Sequence, residues 1–334
     1  MSEELFIEQL DGVIDAIIAQ REVSESLSVD SELAELASLA GELRLLPSEN
    51  FKVRLKETLI RSAMTNTTTA TASEQSANDA ATRHQTITPY LTVRGAEQLV
   101  EFVKDVFGGV EVFRATGSAG GLHAEVIVGN SKLMIGGYEN VEEIPTALHV
   151  YVPNADEIYE RALAAGATSL EQPVDQFYGD REAGVKDPTG NVWWIATHKA
   201  AAFIPEGLRS VTPFLHPIGA AGLIDFMKQA FGAEEISREQ SPEGMIHHAM
   251  VRIGDSMIEM GEAHGELAQP MPPALYTYVE NLGDTYERAL AAGASSLQPP
   301  TEQAYGDRTA WVKDNWGNIW YLAEKRDEVT TTTR

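Results

Sequence analysis

Apolar residues recur at helical spacing through the first 65 residues, for example Leu5, Ile7, Leu10, Val13, Ile14 and Ile17. A second helix fits Ser31 to Leu46, and a third begins near Ser48 with Phe51, Val53, Leu55 and Leu59. These predict an acidic helical segment over residues 1–65, a small bundle or an arm that docks a partner protein. Residues 66–84 change to Thr, Ala, Ser and Asn with almost no large apolar side chain, the composition of a flexible linker. Residues 328–334 read as a similar tail.

Beyond the linker the period shifts, and the chain repeats itself after about 125 residues. TPYL at Thr88–Leu91 returns as TPFL at Thr212–Leu215, and VFGG at Val106–Gly109 as AFGA at Ala230–Ala233. YERALAAGA occurs at Tyr159–Ala167 and at Tyr286–Ala294, and YGDR at Tyr178–Arg181 and Tyr305–Arg308. VKDPTGNVWWIA at Val185–Ala196 returns as VKDNWGNIWYLA at Val312–Ala323. So many matches in one order mean duplicated domains, over residues 85–200 and 208–327.

Each copy has an inner rhythm of its own. In the first, a strand over Ile87–Val93 precedes a helix over Ala96–Phe107 and strands near Val110–Thr116, Leu122–Val128 and Lys132–Gly136. The series then restarts with a strand at Leu148–Val152, a helix at Ala155–Ala165 and strands near Thr168–Gln172, Arg181–Lys186 and Val192–Ala196. The glycine after each helix is an expected C-cap, because only glycine takes the left-handed conformation cheaply. The fold class is therefore α+β, with four βαβββ modules behind an N-terminal helical segment.

Charge and composition narrow the partners. At a formal net charge of −25 the 334-residue chain repels phosphate backbones and anionic lipid, so neither nucleic acid nor a membrane surface is expected as a partner. The absence of cysteine excludes disulfides, thiol nucleophiles and zinc–thiolate sites. The N-terminus is acidic where a secretion signal is basic, and no apolar run reaches membrane-spanning length, so a cytoplasmic location is expected.

The ordered set TPYL, helix–FG, HAEVIVGNSKLMI, YERALAAGA, YGDR and DPTGNVWWIA resembles the glyoxalase/bleomycin-resistance/dioxygenase (vicinal oxygen chelate) superfamily, and within it the PhnB-like proteins, across residues 85–327. The resemblance implies paired modules whose sheets form cups that hold a ligand. It also implies metal ligands, usually His and Glu, on the first and last strands of each module in the metal enzymes. Here those positions align with Thr88, Met134, His149 and Trp194 in the first copy, and with Thr212, Glu259, Tyr276 and Tyr321 in the second. Neither copy supplies a full set of donors.

Many relatives build each cup from one module of each domain, and the sequence leaves open whether the cups here form within or between the copies. In the mixed arrangement one cup holds Thr212, Phe214, His216 and Glu259 with His149, Tyr151 and Trp194. His149, Glu259 and His216 are then its metal-donor candidates, two His and one carboxylate being an iron-type set. The other cup holds Thr88, Tyr90 and Met134 against Tyr276, Tyr278 and Tyr321, an aromatic surface with hydroxyl tips suited to a small organic ligand. His123 and His248 are expected to pack or to support strand pairing, Asp180 or Asp307 to pair with the adjacent arginine in a turn or to cap a loop, and Tyr178 and Tyr305 to lie at a pocket rim. GSAGG at Gly117–Gly121 lacks the strand–helix context of a phosphate loop and reads as a hairpin.

The resulting expectation is a small-molecule-binding protein without a catalytic metal, its two domains paired within a monomer. The alternative is a metal-dependent lyase, isomerase or dioxygenase using Zn, Ni, Mn or Fe in a composite inter-domain site.

Overall fold

The computed structural model describes residues 85–117, 120–200, 202–265, 267–303 and 307–324; the helices expected over 1–65, the linker 66–84 and the tail 328–334 lie outside the described residues. Four modules follow one another. Module 1 comprises β1 (Ile87–Thr92), α1 (Ala96–Phe107), β2 (Val110–Thr116), β3 (Leu122–Val128) and β4 (Ser131–Gly137). Module 2 comprises β5 (Ala147–Tyr151), α2 (Ala155–Ala164), β6 (Thr168–Asp175), β7 (Asp180–Lys186) and β8 (Val192–His198). Module 3 comprises β9 (Val211–Leu215), α3 (Ala220–Phe231), β10 (Glu234–Gln240), β11 (Ile246–Ile253) and β12 (Ser256–Met260). Module 4 comprises β13 (Ala274–Tyr278), α4 (Leu282–Ala291), β14 (Ser295–Glu302), β15 (Arg308–Lys313) and β16 (Ile319–Glu324).

The modules combine into two eight-stranded sheets that each mix the two copies. Sheet I runs β14-β15-β16-β13-β1-β4-β3-β2, so modules 4 and 1 share it. Sheet II runs β10-β11-β12-β9-β5-β8-β7-β6, joining modules 3 and 2. The seams are antiparallel pairs, with Thr88 opposite Tyr276 in sheet I and His149 opposite Thr212 in sheet II. Helix packing follows a different rule. One apolar core gathers α1 and α2 with strands of modules 1 and 2, and the second gathers α3 and α4 with strands of modules 3 and 4. Apart from Val211, which joins the first core, and Ile87, which joins the second, the cores stay within a copy while the sheets cross between copies, so neither copy can be removed without exposing a seam.

Each strand alternates between these cores and a helix-free face, as a period of two requires. Leu148, Val150, Trp193 and Leu215 belong to the cores or are fully buried with them. Their neighbours His149, Tyr151, Trp194, Phe214 and His216 point the other way.

The longest repeated motifs are mostly structural. In the DPTGNVWW segment the buried Asp187 accepts from the backbone N–H groups of Thr189 and Asn191, from Asn191 Nδ2 and from Trp193 Nε1 at 2.8 Å. Asp314 makes the same set with Trp316, Asn318 and Trp320. One carboxylate thereby closes a turn and satisfies the indole N–H of a core tryptophan. In the YERALAAGA segments Arg161 donates to the Val106 carbonyl at the end of α1, and Arg288 to the Ala230 carbonyl at the end of α3. These carbonyls have no partner within their own helix. Asn154 and Asn281 accept from backbone N–H groups at the starts of α2 and α4.

Two equivalent turns tie one sheet to the other, linking β4 to the start of β9 and β12 to the start of β1. Ser131 Oγ accepts from Val211 N–H at 2.9 Å, and Asn130 Oδ1 from Ser210 N–H at 2.8 Å. Ser256 Oγ accepts from Ile87 N–H at 3.0 Å, and Asp255 Oδ1 from Thr86 N–H at 2.8 Å. The glycine before each turn has a left-handed backbone, φ 57° at Gly129 and φ 58° at Gly254. A Cβ there would lie 2.1 Å from Ser210 Oγ and 2.3 Å from Thr86 Oγ1 respectively. Gly254→Ala is therefore expected to lower stability by about 1–3 kcal/mol, from backbone strain and the displaced hydroxyl together. Urea denaturation with an unchanged midpoint would refute this.

Candidate functional site

The helix-free face of sheet II collects acidic and imidazole groups from both copies. His149, on β5, and Glu259, on β12, meet across the seam with Nδ1 to Oε2 at 2.7 Å. The opposite nitrogen, Nε2, lies 3.1 Å from Glu182 Oε2 on β7. That second contact lacks hydrogen-bond alignment, so Nε2 has charge attraction but no aligned acceptor. The three residues are 6%, 1% and 9% exposed. Desolvation opposes the imidazolium, but the Glu259 charge and the close contacts with both carboxylates outweigh it and push His149 up to about 10. At neutral pH the side chain is a buried cation between two carboxylates.

A second network adjoins the first. The Tyr151 ring packs 4.4 Å from that of His149, and its hydroxyl donates to Asp180 Oδ2 at 3.1 Å. The other oxygen of Asp180 lies 2.5 Å from Nδ1 of His198. Asp180 and His198 are direct cross-strand partners on β7 and β8. Burial, with the charges of Glu259 and Asp180, raises Tyr151 and keeps it a phenol. Burial and Glu182 likewise raise Tyr178, which sits half-exposed on the β6–β7 loop. Burial, then the Glu182 charge, raises Glu171 on β6. The expected pairing of Asp180 with its neighbour Arg181 does not form. Arg181 instead reaches Asp156 and Asp175, because alternation on β7 puts it on the opposite face. Tyr305 lies outside the described residues, so its rim placement has no counterpart here.

Sheet II assembles the four family metal positions as His149, Trp194, Thr212 and Glu259, and their donors do not suit a metal. His149 is registered with Trp194 on one side and Thr212 on the other, and Glu259 with Phe214. Trp194 lies over Gly184, where a Cβ would stand 2.6 Å from its ring, and its buried Nε1 has no hydrogen-bond partner. An indole offers no lone pair to a cation, and a protonated imidazole offers none either. His216 does not join the other two expected donors. It lines a cleft of about 170 Å³ with Pro217, Met271 and Trp316. Burial and the nearby His264 push it down to about 4. Among the described residues no group of three or more His, Asp or Glu side chains is arranged to hold a metal ion.

Sheet I carries a different chemistry on its helix-free face. The family positions Thr88, Met134, Tyr276 and Tyr321 supply no conventional metal ligand. Tyr321 is edge-on to Tyr90 with centroids 5.4 Å apart and to Trp311 at 5.3 Å; Tyr276 lies 5.2 Å from Tyr278 and 6.5 Å from Tyr321. Tyr90 covers Gly136, where a Cβ would lie 2.4 Å from its hydroxyl oxygen. That hydroxyl is 3.2 Å from His123 Nδ1, and the two rings stack at 5.7 Å. Burial lowers His123 and raises Tyr321, so both stay neutral near pH 7. Lys132 and Glu125 form a pair at 2.5 Å on the same face. His123 thus does more than pack, and His248 stacks on Phe214 at 6.2 Å in sheet II. The residues missed at the sequence level, Trp311, Glu182 and His198, follow from the strand period once a helix-free face is fixed.

This arrangement of paired βαβββ modules around two open faces is that of the vicinal-oxygen-chelate class. The Glyoxalase/Bleomycin resistance protein/Dioxygenase superfamily model matches residues 83–195 and 220–322, and the chain belongs to that superfamily. Glyoxalase I from Zea mays is similar in fold, with a TM-score of 0.55 at 14% identity over 71% of this chain and 92% of that one. Uncharacterized proteins of Mycobacterium bovis and Mycobacterium tuberculosis are each 30% identical over 130 residues. The match takes in 36% of this chain and 86% and 76% of theirs, respectively. A PhnB protein from Bacillus cereus matches over 35% of this chain and 99% of its own at 21% identity, TM-score 0.31. Among the described residues no helix is long and apolar enough to cross a membrane.

Proposed function

We propose that the protein binds a small planar aromatic molecule on the helix-free face of sheet I and does so without a catalytic metal. The cluster of Tyr90, Tyr276, Tyr278, Trp311 and Tyr321 carries the reading. Aromatic rings give large contact area at low entropy cost, and their edges and hydroxyls orient a flat ligand. The neutral His123 beside the Tyr90 hydroxyl adds one directional polar contact. The metal-dependent alternative is disfavoured by the donor set of sheet II, where Trp194 and Thr212 hold two of the four metal positions and Glu259 is already bonded to His149.

Tyr321→Ala is expected to weaken binding of flat probes such as naphthol or quinoline about tenfold or more, as ring contact and buried area are lost together. Quenching of Trp311, which touches Tyr321, reads the binding directly. No quenching by any planar probe up to millimolar concentration would overturn the proposal. Stoichiometric binding of Zn²⁺, Ni²⁺, Mn²⁺ or Fe²⁺ that disappears in His149→Ala would overturn its metal-free part.

A further inference from the structure

We propose that sheet II carries a metal-independent acid–base site at its margin, with His198 as the base and Asp180 as the residue that positions it. The site is separate from the aromatic face of sheet I. Its substrate class is a neutral molecule bearing a proton acidified by an adjacent carbonyl, imine or heteroaromatic ring.

The geometry is that of a carboxylate committed to orienting an imidazole. Asp180 is 3% exposed, and both of its oxygens are engaged, Oδ2 by the Tyr151 hydroxyl and Oδ1 by His198 Nδ1. The short Nδ1 contact assigns the proton of the neutral ring to Nδ1, which leaves the Nε2 lone pair as the acceptor. The His198 side chain is 28% exposed, so the ring meets a ligand while its partner stays buried. β8 ends at His198 and places it in the same row as Trp194 and Ala196, on the helix-free face. The loop that carries the half-exposed Tyr178 is joined to the residue after His198 by the Lys199 N–H to Gly179 carbonyl bond, and supplies aromatic surface at that margin.

A cross-strand bond needed only for register would be expected in both copies. In the repeat, Asp180 has its counterpart in Asp307, whereas Lys325 occupies the position of His198. The imidazole is therefore particular to sheet II. A positioned base of this kind contributes on the order of 10²–10⁴-fold to a proton transfer, and the orienting carboxylate stabilises the imidazolium that forms.

A defined probe tests this without knowledge of the natural substrate. In 5-nitrobenzisoxazole, Nε2 removes the C3 proton. The C–H electron pair completes the nitrile triple bond, the N–O bond breaks, and its electron pair leaves on the phenolate oxygen. Protonated His198 then returns its proton to water. The full-length protein is expected to exceed an equal concentration of free imidazole by about a hundredfold, in line with a positioned base. His198→Gly is expected to lose that excess and to regain part of it with added imidazole. Asp180→Asn should lower kcat at least tenfold with KM nearly unchanged. A wild-type rate no better than imidazole, or one unchanged in His198→Gly, overturns the proposal. If the variants fail to fold, carbethoxylation of the wild type replaces them. Loss of activity on modification of His198, reversed by hydroxylamine, supports the assignment, and full activity after its modification overturns it.

Discussion

Glu259→Ala is expected to cost about 3–5 kcal/mol of folding stability, because it removes one partner of a buried ion pair and leaves the other uncompensated. Glu259 is 1% exposed and its partner His149 6%, so water cannot readily replace the lost carboxylate. Glu182 remains 3.1 Å away on the other side of the ring, but that contact is not aligned and cannot take over the Nδ1 proton. The loss falls on the β5–β9 seam, where only Leu148, His149 and Val150 are registered with the second copy. A drop of this size is a large fraction of the 5–15 kcal/mol typical of a domain. The companion variant His149→Leu/Glu259→Leu removes both charges and should recover much of the loss, since apolar replacements of a buried pair are often nearly neutral. The measurement is the urea midpoint with its slope. A single variant within about 1 kcal/mol of wild type would mean that the pair is hydrated, and would undercut the view of His149 as a fixed buried cation.

The fold was largely legible in the sequence because it rests on local chemistry written twice. The helix over Ala96–Phe107 and the strands Val110–Thr116 and Leu122–Val128 were expected with the bounds observed, and other elements shifted by one to three residues at their ends. Glycine caps α1 and α3 as anticipated, with Gly108 and Gly232 at φ 66° and 67°, whereas α2 and α4 have Ala165 and Ala292 at the cap and the left-handed glycine one residue later. The pairing of modules was not legible. β1 could meet β5 of its own copy or β13 of the other, and the apolar pattern of each strand fits both. The turns at Asn130–Ser131 and Asp255–Ser256 also join the copies, through polar side chains that meet backbone groups 80 and 169 residues away, contacts that no strand pattern announces. Alignment with family metal positions found His149 and Glu259 but passed over Glu182, Asp180 and His198. Those three are not at such positions, and only their register across β7 and β8 puts them on one face. The repeated YGDR motif even suggested the wrong partner for Asp180, because adjacency in sequence means opposite faces in a strand.

Stability is expected to peak near neutral pH and to fall on both sides for two different histidines. His149 is held at about 10 in the folded protein, against roughly 6.5 in an unfolded chain. Its contribution is complete below about pH 6.5, and is lost as pH rises from there to 10, when the folded state alone still holds the proton. At about 1.4 kcal/mol per unit of difference the whole effect is on the order of a few kcal/mol. His216 works in the opposite sense, since burial and His264 hold it down to about 4. Its contribution is present above about pH 6.5 and lost as pH falls towards 4, because the unfolded chain takes up a proton that the native state refuses. Tyr151, raised by burial and by the charges of Glu259 and Asp180, adds a further loss only above the ordinary phenol range near pH 10. The alkaline limb between pH 7 and 10 therefore belongs to His149, faced by Glu259, Glu182 and Tyr151. His149→Gln keeps a neutral side chain there and should flatten that limb while leaving the acid limb in place. Urea midpoints measured at half-unit steps from pH 5 to 10 decide it. Parallel alkaline limbs in the wild type and His149→Gln would show that the histidine is already neutral at pH 7, and would return its lone pair to sheet II as an available metal donor.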